Sequence, residues 1–91
     1  MYFDRMSSIE DTIDELTLVL LYLTREKDRY GNVYSWKGYD FGALNRLSEK
    51  ELILQRSYKA KSVVIPEESV PEIKRLLEKY GIELENDPQT T

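Results

Sequence analysis

The sequence holds no cysteine and no histidine. The first absence excludes a disulfide framework and thiol chemistry, and the second removes the commonest general base. Together they take away the usual ligands for zinc, copper and iron, so neither a metal nor a cofactor is expected. Glycine is scarce, four residues in 91, and none builds a Gly-rich phosphate loop. Long hydrophobic runs are also missing. The apolar stretch Leu16 to Leu23 is far too short to span a bilayer, and Glu10, Asp11, Asp14 and Glu15 precede it where a signal peptide carries basic residues. A soluble, cytoplasmic protein with no membrane partner is the expectation.

What is present is the composition of an ordinary globular domain, 33% charged and 41% hydrophobic. A chain of 91 residues suits one domain with a modest core, and chains of this size often gain stability by dimerising. We expect a single domain over 1–91, ordered from about 8 to 82, with a polar tail at 83–91.

Ser8 with Asp11 three positions later gives a helix-start signal, and the acidic cluster from Glu10 to Glu15 suits the positive end of the helix dipole. Ile9, Ile13, Leu16, Leu20 and Leu23 recur at three- and four-residue spacing and predict the buried face. Leu18, Val19, Leu21 and Tyr22 are apolar as well, so the helix needs cover on a second side. Either it is central to the domain, or Leu18, Val19 and Tyr22 meet a second copy, with Tyr34 as a further exposed candidate contact.

Gly31-Asn32 and Gly38 break the chain, and between them Val33, Tyr34 and Trp36 can form a short extra strand. Asp40 reads as the N-cap of a second helix running to about Lys50, with Phe41, Leu44 and Leu47 on its apolar stripe. Trp36 and Phe41 are expected in the core. Leu52 to Leu54 and Lys59 to Ile65 read as a two-stranded hairpin that Pro66 ends. Val70, Ile73, Leu76, Leu77 and Tyr80 mark a third helix, with Pro71 in its first turn and Gly81 as its stop.

The fold class that follows is α+β, three helices plus a two-stranded hairpin. The stretch Leu44-x-x-Leu47-x-Glu49-Lys50-x-Leu52-Ile53, then Lys59-x-Lys61-x-Val63, then Ile65-Pro66-Glu67-Glu68, resembles the recognition helix and wing of bacterial winged-helix regulators. It departs at Glu51, where those proteins carry a glycine that adopts a left-handed turn freely, and at Ile65-Pro66 in place of Leu-Thr. Trp36-Lys37-Gly38-Tyr39-Asp40 and Lys59-Ala60-Lys61-Ser62-Val63-Val64 further resemble a bacterial domain-of-unknown-function family of small proteins, over roughly residues 10–70. The resemblance implies a reduced winged-helix-like fold and adds no activity.

Charge is unevenly distributed. Residues 25–61 hold nine Lys or Arg against five Asp or Glu, a net +4, while 1–24 and 62–91 are each −4. On a winged-helix pattern Lys37, Arg46, Lys50, Arg56, Lys59 and Lys61 share a face, with Asn45 and Arg46 placed to reach base edges. That motivates a DNA-binding regulator acting on double-stranded DNA. The bland reading is a solvated basic surface on an acidic protein, whose overall charge of −4 disfavours sequence-independent DNA binding. The alternative is a protein-interaction or homodimerisation module. Enzymatic readings are weak, since the carboxylate pairs follow from the helix start and Lys61-Ser62 is a bare dipeptide.

Overall fold

A computed structural model of the protein describes residues 4–36, 38–55 and 61–84, with side chains from Ile9 onward. Three helices and a three-stranded antiparallel sheet alternate in the order α1 (Asp4–Leu23), β1 (Glu26–Lys27), β2 (Val33–Trp36), α2 (Phe41–Glu49), β3 (Ser62–Val64) and α3 (Val70–Lys79), a 3₁₀ turn at Glu67–Ser69 leading into α3. The fold is therefore α+β, as expected, with one strand pair more than a lone hairpin.

Helix α1 starts at Asp4, ahead of Ser8, because Arg5 and Met6 are good helix formers and extend it. It packs against α2, α3 and β2. The chain then turns through Asp28, whose carboxylate accepts hydrogen bonds from the backbone of Tyr30 and Asn32, closing a hairpin between β1 and β2. The strand at 33–36 is thus central to the sheet. Its partner β1 escapes a pattern-based reading because Glu26 and Lys27 are both polar and exposed.

Strand β2 pairs with β3 so that Ser35 lies opposite Val63 on the buried face. Tyr34 opposite Val64 and Trp36 opposite Ser62 fall on the outer face by the two-residue alternation of a strand. The expected hairpin between 52–54 and 59–65 contracts to a two-hydrogen-bond bridge between Leu54 and Val64. Residues 56–60 lie outside the described residues.

Helix α2 is capped by Asp40, whose carboxylate accepts from the Ala43 N–H at 2.9 Å. Both α2 and α3 end in the same reciprocal closure. Leu52 N–H bonds Leu47 C=O and Glu51 N–H bonds Ser48 C=O; Ile82 and Gly81 repeat this with Leu77 and Glu78. The residue at the turn must be left-handed, so Gly81 sits at φ +68° and Glu51 is forced to φ +63°. Ser69 flanks the start of α3, with Pro71 in the first turn where its missing N–H is harmless.

One core joins these elements. Leu18, Leu21 and Tyr22 of α1 meet Leu44 and Leu47 of α2, Ile53, Val63 and Ile65 of the strand region, and Ile73, Leu76 and Leu77 of α3. This reverses the expected orientation of α1. Leu18, Val19, Leu21 and Tyr22 are buried, whereas Ile9, Ile13, Leu16, Leu20 and Leu23 are 40–68% exposed. Trp36 and Phe41, expected in the core, are 63% and 69% exposed. Trp36 takes the outer face of β2, and Phe41 opens α2 at a position off the buried Ala43-Leu44-Leu47 side.

Candidate interaction surface

The inner face of α1 carries a buried charge. Asp14 is 2% exposed, and Arg46 of α2 grips it through two parallel hydrogen bonds, Nε to Oδ2 and Nη2 to Oδ1, each 2.8 Å. A second amine of the same guanidinium lies 3.2 Å from Glu10. Hydrogen bonding to Asp14 pushes the guanidinium further above its ordinary range. A paired, hydrogen-bonded carboxylate can be buried where a lone one cannot, and this pair pins α1 to α2.

A second polar tie fixes α1 to α3. Glu15 accepts from Lys79 at 2.8 Å and from the Tyr80 hydroxyl at 2.6 Å. Burial alone raises the Glu15 carboxyl, but the two hydrogen bonds and the charges of Lys79 and Arg75 outweigh it and hold it below the ordinary carboxylate value. The same contact raises Lys79 and Tyr80.

With the inner face fixed, the outer face of α1 is left as a stripe. Ile9, Ile13, Leu16, Leu20 and Leu23 follow one another by four, three, four and three residues, an average period of 3.5. At about 100° per residue all five fall within an arc of about 80°, one face of an ordinary α-helix. Exposure along the stripe runs 68%, 43%, 40%, 45% and 40%.

The residues singled out for DNA contact do not gather into one described group. Lys37, Arg56 and Lys59 lie outside the described residues. Asn45 accepts a hydrogen bond from the Gln55 side chain at 3.2 Å. Arg46 is turned inward onto Asp14. Lys50 borders a cleft between the helices that also holds Asp11, Asp14, Glu15 and Glu72. Lys61 is exposed beside β3. Of the candidate interface residues, Leu18, Val19 and Tyr22 belong to the core, and half-buried Tyr34 donates its hydroxyl to Glu26 at 3.0 Å, which raises it above the ordinary phenol value. The surplus apolar surface is therefore on α1 as anticipated, but on the opposite side.

The Trp-Lys-Gly element has a local cause. A Cβ on Gly38 would collide with the Trp36 indole, so glycine lets the exposed ring fold over the backbone of this turn. A cleft of about 380 Å³ lies between the β1–β2 hairpin and the start of α3, lined by Tyr22, Arg25, Lys27, Ile65 and Glu67 among others. The Arg25 guanidinium stacks 3.9 Å from the Tyr22 ring and donates to the Tyr22 carbonyl. Among the described residues no group of three His, Cys, Asp or Glu is arranged to hold a metal, and no helix is long and apolar enough to cross a membrane.

These features define a small α+β domain whose longest helix has one face in the core and one apolar face exposed. The chain belongs to the family described as domain of unknown function DUF6429, whose model matches residues 9–83. It is 39% identical over 61 residues to the uncharacterized protein y4hR of Sinorhizobium fredii (strain NBRC 101917 / NGR234), an alignment covering 67% of this chain and 77% of that protein. No solved structure matches the chain.

Proposed function

We propose that the domain is a non-enzymatic, cytoplasmic protein-interaction module that docks through the outer face of α1. The observation that carries this is the stripe from Ile9 to Leu23, five aliphatic side chains exposed opposite the core. Each still has roughly half its surface in water, so docking would gain on the order of 1 kcal/mol per side chain. Aliphatic residues clustered along one helix face, and not scattered singly, are the mark of an interaction surface. The winged-helix-like order of elements around α2 then acts as the scaffold that holds α1 rigid. The test is affinity capture with the chain and with Leu16→Glu/Leu20→Lys. Partners held by the native chain and lost by the variant are the expected result; identical captured sets would overturn the reading.

A DNA-binding regulator is the second reading, favoured by exposed Lys50 and Lys61 in the basic middle segment. It loses the residue best suited to read bases, since Arg46 is engaged with Asp14. If six cations did meet phosphates, log affinity would fall with log salt at a slope of about −5 in a gel-shift titration. No shift at low salt removes it.

A further inference from the structure

We propose that the cleft between the β1–β2 hairpin and the start of α3 binds a small apolar zwitterion, a free amino acid or a dipeptide with aliphatic or aromatic side chains. The site is separate from the outer face of α1, and none of that stripe lines it. Sheet register builds its walls. Lys27 pairs with Val33 across β1 and β2, and on the other side the Ile65 N–H bonds the Val33 carbonyl at 2.8 Å. Two strand spacings, about 10 Å, therefore separate the backbone of Lys27 from the segment that leads through Pro66 to Glu67. Tyr22 and Arg25, at the end of α1 and just past it, add to the lining. A volume of about 380 Å³ falls within the roughly 300–1,000 Å³ of small-molecule sites.

Opposite charges stand on the two walls without meeting. Lys27 and Glu67 both line the cleft and are exposed, and among the described residues neither side chain forms an ion pair or a hydrogen bond. Arg25, two residues before Lys27, is a cation held in place: its guanidinium lies 3.9 Å from the Tyr22 ring, and Nη1 donates to the Tyr22 carbonyl at 2.8 Å. A simple anion would be repelled by Glu67, and a simple cation by Lys27 and Arg25. A ligand carrying both charges is complementary to both walls. Val33, Val64, Pro66 and Val70 supply the apolar part of the lining, which suits an aliphatic or aromatic side chain. The ligand's carboxylate then lies toward Lys27 and Arg25, its ammonium toward Glu67, and its side chain on the valines.

Titration of the isotope-labelled chain with L-leucine and L-phenylalanine, followed by NMR, tests the assignment. Saturable amide shifts at Val33, Ile65 and Val70 are expected, with half-saturation below about 1 mM. Isocaproate lacks the ammonium, isopentylamine lacks the carboxylate, and glycine lacks the side chain; each should bind at least about tenfold more weakly than leucine. Leucyl-leucine separates the two sources of this chemistry. Tighter binding than leucine assigns the cleft to a short peptide, and weaker binding assigns it to the free amino acid.

Lys27→Gln and Glu67→Gln should each weaken leucine binding about tenfold. Circular dichroism and melting temperature should stay native in both, because the two side chains are exposed. Lys74→Gln, an equal loss of charge outside the cleft, should bind leucine like the native chain. The absence of any saturable shift with leucine, phenylalanine or leucyl-leucine would overturn the proposal. So would shifts that map away from the cleft, equal affinity for isocaproate and leucine, or Gln variants that bind as the native chain does.

Discussion

Asp14 and Arg46 show how a single pair can redirect a whole helix. With Asp14 buried and gripped at two points, the α1 side that holds it must face α2. Arg46→Ala leaves that carboxylate buried without its partner and should lower the urea midpoint at unchanged slope. A surface DNA-contacting arginine would show almost no change in that assay. Glu51 is a smaller case. Its left-handed φ of +63° is strained for a residue with a Cβ, and Glu51→Gly should stabilise by up to about 1 kcal/mol in the same titration. Glu51 is conspicuous in the sequence because it stands where the winged-helix regulators that the segment resembles carry glycine. Glu15 gives a pH dependence. Its folded carboxyl lies below the ordinary 4.5, so the stability it contributes is complete above that value and is lost as pH falls through the lower, folded one. Glu15→Gln should therefore flatten the loss of thermal stability below pH 4.5, measured by melting at stepped pH.

At the scale of the element, α1 is the instructive helix. It is apolar on two sides, and the outer stripe reads as the cleaner hydrophobic pattern because the inner one is interrupted by Asp14 and Thr17. Periodicity alone picks the wrong side, since it has no means of knowing that Asp14 finds Arg46 32 residues later. Leu18 and Leu16 separate the two faces directly. Leu18→Ala should cost about 2–5 kcal/mol by opening the core, and Leu16→Ala less than about 1 kcal/mol in dilute solution, by chemical denaturation. Equal effects would mean the helix is turned otherwise. Elsewhere local chemistry was readable: the Asp40 cap, Pro71 in the first turn of α3, Gly81 at its end and the strand at 33–36 are each dictated by neighbours in sequence. Strand β1 was not, because two exposed polar residues become a strand only when β2 is beside them. Trp36 was misplaced by weighing size over alternation; its neighbour Ser35, smaller and polar, takes the core side and shares a hydrogen bond with Thr24 at 3.1 Å.

For the whole molecule, the segregation of charge along the chain, acidic ends around a basic middle, is partly spent inside the fold. Arg46 from the middle segment binds Asp14 and Glu10 from the first, and Lys50 lies beside the carboxylates of α1 and α3. A charge pattern that suggests an external polyanion is thus also the pattern that ties α2 to α1. The surface that this assembly leaves over is apolar and helical. Its exposure is the central claim, and the reactivity of a thiol introduced into this cysteine-free chain tests it most directly. The account predicts that Leu16→Cys reacts with a thiol reagent in the native chain about as fast as an unfolded control, while Leu18→Cys is protected. Equal protection of the two thiols, or protection of Leu16→Cys with Leu18→Cys reactive, would contradict it.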